Sequence, residues 1–215
     1  MLSTNQMNIG IIGSGNVGGA LGTRWAQKGH QIVFGSRTPD DADMKKLLDR
    51  AGKNARAAKL VEAATNDVLL FAMPWSIAKD VLSGLGNLAG KVLIDATNPL
   101  LPDLSGLAVG TSTSAGEQVA DWAKGAKVVK AFNTVGSTIM ENDSFSAGKP
   151  VIFYCGDDAA AKKTVHELAA DIGFDPQDTG PLTQARLLEP FALLWISLAF
   201  QQKWGREFAF QVLRR

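Results

Sequence analysis

This chain has little of several features that mark specialised protein classes. Its single cysteine, Cys155, excludes an internal disulfide and a cysteine-based metal cluster, so we expect no metal site and a cytoplasmic location. Lys plus Arg number 22 against 21 for Asp plus Glu, which leaves no basic footprint for nucleic acid or an anionic membrane surface. The longest apolar run, Phe191 to Phe200, falls well short of the roughly 20 residues of a membrane span. We therefore expect neither nucleic acid nor a membrane as a partner.

Apolar runs typical of buried strands recur along the chain, and helical segments separate them. The six runs are Ile9 to Ile12, Ile32 to Phe34, Val68 to Ala72, Val92 to Ile94, Val128 to Phe132 and Val151 to Tyr154. This alternation predicts an α/β protein of the Rossmann type, with a doubly wound, mostly parallel sheet. The pattern changes to helix after Gly180-Pro181. We therefore divide the chain into an α/β domain at 7–182 and a small C-terminal helical cap at 183–215.

The predicted cap begins with a strongly apolar helix. Pro190 is expected to kink or restart this helix, and a second short helix is predicted from Arg206 to Leu213. The apolar stretch through Phe200 is a candidate dimer surface, and we expect a homodimer, although a buried core helix would have the same composition.

A glycine-rich segment follows the first predicted strand, which ends at Ile12. Gly13, Gly15 and Gly18 have the spacing that lets a chain turn tightly and approach a pyrophosphate, while the following helix directs its free N–H groups at the phosphates. The residues predicted to bind this part of a dinucleotide are Gly13, Ser14, Gly15, Asn16, Val17 and Gly18. A plain strand-to-helix turn is the alternative interpretation.

The end of the second predicted strand indicates which dinucleotide binds. NAD enzymes of this type usually place an Asp or Glu there, which holds the ribose 2'-hydroxyl. This chain has Ser36 and Arg37, a hydroxyl and a planar cation that suit a 2'-phosphate. A charged contact of about 1.5 to 3 kcal/mol would favour NADPH over NADH by roughly 10- to 150-fold. The predicted cofactor is NADP(H), and a solvated arginine in a loop is the alternative.

Three loops that follow apolar runs should meet the nicotinamide half of the cofactor, because ligands of a doubly wound sheet lie over the carboxyl ends of the strands. Met73-Pro74-Trp75 gives a rigid turn and a flat aromatic ring, and Asn133-Thr134-Val135 can contact the substrate. Thr97 and Asn98 offer a hydroxyl and an amide that can hold a ribose or a carboxamide. A helix cap for Thr97 and Asn98, and a core position for Trp75, remain alternatives.

Reduction of a carbonyl needs a proton as well as a hydride, yet the chain has few candidate acids. Its only tyrosine, Tyr154, is followed four residues later by Asp158, so the Tyr-x-x-x-Lys pair of short-chain dehydrogenases is absent. His30, His166 and Cys155 are expected to be structural residues. A flavin, deazaflavin or quinone ring takes up a hydride with less help from side chains, so no catalytic side chain is required.

Several blocks in the same order carry a family resemblance that extends almost from end to end. They are Gly13-Ser14-Gly15-Asn16-Val17-Gly18, Gly35-Ser36-Arg37, Pro74-Trp75, Thr97-Asn98-Pro99-Leu100, Val129-Lys130-Ala131-Phe132-Asn133-Thr134, Cys155-Gly156-Asp157-Asp158 and Asp178-Thr179-Gly180-Pro181-Leu182. With these blocks the chain resembles the NADPH-dependent reductases of the deazaflavin coenzyme F420 and, more distantly, the oxidoreductase domain of the mammalian STEAP metalloreductases.

The resemblance implies hydride transfer between NADPH and a deazaflavin or flavin-like ring. It implies that residues 14–17 bind the pyrophosphate, that Ser36 and Arg37 hold the 2'-phosphate, and that the ring lies in a shallow cleft walled by the 133–135 loop and the C-terminal helix. The contacts it implies, together with the loop positions above, are Met73, Pro74, Thr97 and Asn98 for the cofactor and Trp75, Asn133, Thr134 and Val135 for the substrate. The chain departs from archaeal members at Asn133, where they tend to carry His, and at Asp40-Asp41, where they tend to carry a basic residue.

Two other functions stay open on the sequence. One is the reduction of a small carbonyl or imine, with Asp95, Thr134 or a bound water as the proton source. The other is a redox-sensing module that binds NADP(H) without catalysis and signals through a partner at the apolar helix. The favoured function is an oxidoreductase whose partner is a small-molecule hydride acceptor.

Overall fold

The computed structural model describes residues 6–215. The strands are β1 (Asn8–Ile12), β2 (Gln31–Ser36), β3 (Ala55–Lys59), β4 (Val68–Phe71), β5 (Val92–Asp95), β6 (Lys127–Lys130), β7 (Val151–Gly156) and β8 (Asp175–Asp178). The helices are α1 (Asn16–Gln27), α2 (Ala42–Ala51), α3 (Leu60–Ala63), α4 (Trp75–Ser83), α5 (Ala115–Trp122), α6 (Ser137–Glu141), α7 (Ala159–Asp171) and α8 (Ala185–Ile196). A 3-10 helix (Leu182–Gln184) precedes α8, and a π-helical turn (Ser197–Gln201) follows it.

The eight strands form one sheet in the order β3-β2-β1-β4-β5-β6-β7-β8. Every neighbouring pair is parallel except β6 and β7, which run antiparallel. The order reverses between β1 and β4, which creates a crevice at the carboxyl ends of these two strands. The predicted Rossmann-type, mostly parallel sheet is confirmed.

Both faces of the sheet are covered, as a parallel sheet requires. Successive side chains of β1 alternate, so that Ile11 joins the core on one face and Ile12 joins the core on the other. The first core includes Trp25 of α1 and Val165 of α7, and the second includes Leu82 of α4. This packing fixes the carboxyl ends of β1, β2, β4 and β5 relative to one another.

All six predicted strands are present, and two further strands lie at the edges of the sheet. These are β3 and β8, whose sequences Ala-Arg-Ala-Ala-Lys and Asp-Pro-Gln-Asp have no run of large apolar residues. Edge strands are half exposed, so pairing with one neighbour rather than burial defines them. β3 becomes important below because its last residue, Lys59, pairs in register with Ser36 of β2.

The C-terminal segment differs from the prediction in two ways. Helix α8 continues through Pro190 without a restart, and Leu188 and Trp195 bury its inner face on either side of the proline. The helix predicted from Arg206 to Leu213 is wrong, because this segment contains no helix. No helix within residues 6–215 is long and apolar enough to cross a membrane.

The extended course of this tail has a physical cause. Phe208 and Phe210 alternate with small or polar neighbours, a period of two that belongs to extended chain rather than helix. Phe208 stacks on Trp195 with ring centroids 5.1 Å apart, and Phe210 contacts Phe191 at 4.7 Å. The backbone oxygen of Phe210 also accepts a hydrogen bond from the Val151 N–H at 2.9 Å, so the tail lies alongside the first residue of β7.

Candidate functional site

A cavity of about 620 Å³ opens where the strand order reverses, at the carboxyl ends of β1, β2, β4 and β5. Its walls come from the ends of these four strands and the segments that follow them, from one side of α4 and from Leu60 at the start of α3. The lining residues are Gly13, Ser14, Gly15, Asn16, Val17, Gly35, Ser36, Arg37, Thr38, Leu60, Ala72, Met73, Pro74, Trp75, Ile77, Val81, Ala96, Thr97, Asn98 and Leu100. A crevice at this point of an open α/β sheet is where such folds bind their ligands.

The three glycines after β1 have three different structural roles. Gly13 has a φ of 107°, a backbone angle that residues with a side chain rarely adopt, and a Cβ there would lie 2.5 Å from the Ala72 backbone oxygen. A Cβ on Gly18 would collide with the backbone oxygen of Gly13. A Cβ on Gly15 would meet no protein atom within 4 Å, so this glycine leaves space open to the cavity. The empty space beside Gly15 is what a pyrophosphate needs to approach the backbone.

The N-terminus of α1 borders the same space. Gly15 is its N-cap and supplies no side-chain acceptor. In α2, α5 and α7, by contrast, the side chains of Asp41, Ser114 and Asp158 accept hydrogen bonds from the first turn. The uncapped N–H groups of α1 and its dipole therefore suit an anion supplied by a ligand.

Ser36, Arg37 and Thr38 line the cavity where β2 ends. The Ser36 hydroxyl accepts a hydrogen bond from the Thr38 N–H at 3.0 Å, which holds the segment in a turn. The Arg37 side chain is exposed at the cavity rim and forms no ion pair with any residue of 6–215. A hydroxyl and an unpaired guanidinium at this point can bind a phosphate group.

The other end of the cavity is formed by the segments after β4 and β5. Trp75, the first residue of α4, stacks on Trp122 of α5 with ring centroids 5.1 Å apart and an angle of 27°. This contact fixes a half-buried indole at the cavity wall. Thr97 is nearly buried, and its hydroxyl donates to the Asp95 carboxylate at 2.7 Å, so its own oxygen lone pairs are free to accept.

The predicted 133–135 loop lies behind this wall rather than on it. Asn133, Thr134 and Val135 are buried, and none of them lines the cavity. The Asn98 side-chain amide donates to the Asn133 backbone oxygen at 2.9 Å, and the Asn133 amide donates to the Asn98 oxygen at 3.2 Å. Asn133 also donates to the Leu188 oxygen of α8 at 3.2 Å. The structure therefore places this loop between the cavity wall and α8.

The sequence prediction missed a buried charge cluster under the same wall. Lys130 lies 2.9 Å from carboxylate oxygens of both Asp95 and Glu189, and none of the three side chains is more than 1% exposed. Burial alone would lower the pKa of Lys130, but the two carboxylates outweigh it and raise that pKa, so the ammonium stays charged. The one feature of the sequence that points to this cluster is the position of Lys130 inside the apolar run Val128 to Phe132.

The excess negative charge of this cluster is offset by a helix N-terminus. The Glu189 carboxylate accepts hydrogen bonds from the backbone N–H groups of Ala115 and Gly116 at 2.9 and 3.0 Å. These are the first residues of α5, whose dipole favours an anion. The cluster thus joins β5, β6, α5 and α8 beneath the cavity.

The scarce nucleophiles and acids are occupied elsewhere. His30 is buried: its Nδ1 accepts the Met7 N–H at 3.2 Å, and its Nε2 lies 3.2 Å from the Asp171 carboxylate. The Nδ1 of His166 lies 3.1 Å from the Tyr154 hydroxyl. Burial raises the pKa of the Cys155 thiol to about 12. Within the described chain, Arg37 is the only ionisable residue that lines the cavity.

Comparisons with known proteins agree with this geometry. The family model described as NADP oxidoreductase coenzyme F420-dependent matches residues 8–99. An F420-dependent NADP reductase of Methanothermobacter thermautotrophicus is 30% identical, and the alignment covers 94% of each chain. A crystal structure of a putative F420-dependent NADP-reductase from Arthrobacter sp. FB24 is 29% identical with a TM-score of 0.86, and the match covers 97% of this chain and 100% of that one.

Metalloreductase STEAP3 of Rattus norvegicus is 31% identical over 86% of this chain. The chain spans only 36% of STEAP3, so the likeness concerns one part of that protein. The archaeal reductase, which the chain matches over nearly its whole length, is the informative relative. The open glycine loop, the Ser36-Arg37 pair and these matches together show that the chain belongs to the family of coenzyme F420-dependent NADP oxidoreductases and is an NADP-dependent oxidoreductase.

Proposed function

We propose that the protein transfers a hydride between NADPH and a deazaflavin or flavin-like ring that binds against the nicotinamide. The observation that carries this proposal is the lack of an acid in the cavity: no Asp, Glu, His, Lys, Tyr or Cys of the described chain lines it. A carbonyl reductase needs such a proton donor beside its substrate. NADPH supplies the hydride, and a conjugated ring accepts it as a delocalised anion that takes its proton from water, so no positioned acid is needed.

Each end of the cavity then has its own task. The backbone N–H groups of residues 14–17 bind the pyrophosphate at the open N-terminus of α1, while Ser36 and Arg37 bind the 2'-phosphate. Met73 and Pro74 border the nicotinamide. Residues 7–182 form the NADP-binding unit in this assignment, and 183–215 support the acceptor side.

Thr97 and Asn98 orient the nicotinamide end. The Thr97 hydroxyl is turned toward Asp95, so its oxygen accepts a hydrogen bond from a ribose hydroxyl or the carboxamide. Asn98 is held by Asn133 through two hydrogen bonds, which gives Asn133 a positioning role. Thr134 and Val135 follow Asn133 in the same buried loop, and we place them with it on the acceptor side.

Trp75 is the candidate contact for the acceptor ring. Its indole is pinned by Trp122, so it presents a flat apolar surface without losing side-chain freedom on binding. Holding two rings in contact and excluding water is the main contribution a protein makes to hydride transfer between them.

The alternative proton donors from the sequence are in unsuitable places. Asp95 is fully buried and engages Lys130 and Thr97, and Thr134 is only 4% exposed. Neither side chain lines the cavity. Of the proton sources considered for the reduction of a carbonyl or imine, only a bound water is compatible with this geometry.

The test is NADPH oxidation with a panel of acceptors: the oxidised deazaflavin, FMN, FAD, and small carbonyls and imines without added flavin. The proposal predicts turnover with a ring acceptor only. Trp75→Leu should raise the KM for the ring and leave the NADPH Kd unchanged, while Trp204→Leu, at an exposed tail position, is the matched control. Turnover of a carbonyl or imine without flavin contradicts the proposal, and so does tight NADPH binding without turnover of any acceptor, which would indicate the sensing module.

A further inference from the structure

Lys59 ends the edge strand β3 next to the segment that follows β2. In the parallel register of these strands it is the direct partner of Ser36. Its ammonium donates a hydrogen bond to the backbone oxygen of Arg37 at 2.7 Å. The side chain is exposed and forms no ion pair with any residue of 6–215, whereas the other cation of β3, Arg56, is paired with Glu62 at 2.6 Å.

The charges around this point explain why a second cation matters. The Asp41 carboxylate lies 2.6 Å from the Thr38 hydroxyl and accepts the Met44 N–H at 2.7 Å. The hydrogen bond from Thr38 lowers the pKa of Asp41, so this group is negative at neutral pH. A 2'-phosphate carries between one and two negative charges, as phosphate monoesters do near neutral pH. Asp41 and the phosphate are both negative, so a second cation beside Arg37 would favour phosphate binding at this point.

We propose that Lys59 is a specificity-determining residue that supplies the second positive charge for the 2'-phosphate of NADPH. An ammonium has three N–H donors, and the bond to Arg37 uses one of them. The remaining donors lie beside the Ser36-Arg37 turn, and the flexible lysine stem allows the ammonium to reach a phosphate oxygen as a point charge. This inference rests on the proposed placement of the 2'-phosphate at Ser36 and Arg37.

The bond to Arg37 gives Lys59 a second effect that the test must separate. By holding the Arg37 backbone, Lys59 could act only as a support for the turn. A support would affect every ligand that touches the turn, and its contribution would depend little on salt. A direct interaction of the Lys59 charge with the phosphate affects only ligands that carry a 2'-phosphate. Salt screens this interaction because the site is exposed.

The experiment measures the Kd values of NADPH and NADH by calorimetry for the wild type, Lys59→Gln, Lys59→Arg and Lys53→Gln. Lys53 is an exposed lysine just before β3, at the far end of the strand, and controls for the loss of one positive charge. Lys59→Gln should raise the NADPH Kd about 5- to 10-fold and leave the NADH Kd within a factor of two. Lys59→Arg should restore NADPH binding, and Lys53→Gln should change neither value.

Two further readouts complete the test. Adenosine 2',5'-bisphosphate should lose affinity for Lys59→Gln, whereas 5'-AMP should not, and the salt dependence of NADPH binding should become shallower. An unchanged NADPH Kd in Lys59→Gln overturns the inference, as does an equal loss for NADPH and NADH. Arg37→Ala serves as the reference: if it loses NADPH preference and Lys59→Gln does not, only the role of Lys59 is wrong, whereas failure of Arg37→Ala contradicts the placement of the phosphate itself.

Discussion

The Lys130 ammonium lies 2.9 Å from the Asp95 carboxylate, and both side chains are completely buried beneath the cavity. The second oxygen of Asp95 accepts hydrogen bonds from the backbone N–H and the hydroxyl of Thr97, at 2.9 and 2.7 Å. The ion pair therefore connects the core strand β6 to a residue of the cavity wall. Glu189, the second carboxylate paired with Lys130, extends the same network to α8.

Removing the cation should be costly because two carboxylates would remain buried without it. We expect Lys130→Met to lower the free energy of unfolding by about 3 to 5 kcal/mol. Lys127→Met, on the same strand but in an exposed pair with Asp158, should have little effect. Urea unfolding of the two variants checks this, and equal stabilities would contradict the structural role of the cluster.

Gly15 and Gly18 should respond differently to the same substitution. Gly18→Ala places a methyl group against the backbone oxygen of Gly13 and should destabilise the fold. Gly15→Ala meets no protein atom, so its unfolding should match the wild type, while the methyl group blocks the approach of the pyrophosphate and raises the NADPH Kd about tenfold or more. Normal NADPH binding by a folded Gly15→Ala protein would show that the pyrophosphate lies elsewhere.

Arg37 should select the cofactor. Arg37→Ala is expected to raise the Kd for NADPH about tenfold or more and leave the Kd for NADH nearly unchanged, because only NADPH carries the 2'-phosphate. Arg56→Ala, which removes a paired arginine on β3, is the control. Titration by protein fluorescence measures both ligands, and equal losses for NADPH and NADH would contradict the assignment.

Acid should weaken the contact between α5 and α8. Arg186 donates two hydrogen bonds to Glu117, at 2.6 and 2.8 Å, and these bonds hold the pKa of Glu117 below its ordinary value of 4.5. A carboxyl with a lowered folded-state pKa contributes stability that is complete above its unfolded pKa and is lost as the pH falls through its folded pKa. Glu117→Gln should therefore be less stable than the wild type at neutral pH, and the difference should shrink below pH 4.5.

Unfolding curves across this pH range measure the effect of Glu117→Gln. Asp121→Asn, on the same helix, controls for the loss of one negative charge. A stability difference that stays constant between neutral pH and strong acid would mean that the ion pair is not its source.

Local patterns were sufficient for six of the eight strands and for the residues at the ends of β1 and β2 that line the cavity. The apolar runs identify six strands, and the glycine spacing and Ser36-Arg37 lie within one strand-turn-helix unit each, so short-range sequence carries the information. The strand β3 was not predicted, because its small and charged residues are held by pairing with β2 rather than by burial. The tail around Phe208 and Phe210 was misassigned because an alternating pattern was interpreted as a helix.

The other half of the cavity, where we propose that the nicotinamide binds, depends on residues that are distant in the sequence. Lys130 and Glu189 are 59 positions apart, and no local pattern indicates that they meet. Asn133 was predicted at the cavity from its place after a strand, but its hydrogen bonds to Asn98 and Leu188 put it in the layer behind. Tertiary packing alone determines which of the loop residues face the cavity.

The most direct test of hydride transfer between two bound rings follows the transferred atom. The enzyme is given the oxidised deazaflavin and NADPH that carries deuterium at one or the other transferring position of the nicotinamide, in ordinary water, and the reduced ring is analysed by mass spectrometry. Direct hydride transfer predicts that deuterium from one of the two NADPH forms appears on the ring carbon without loss to solvent. A reduced ring without deuterium from either form, or no reduction of the ring at all, would contradict it.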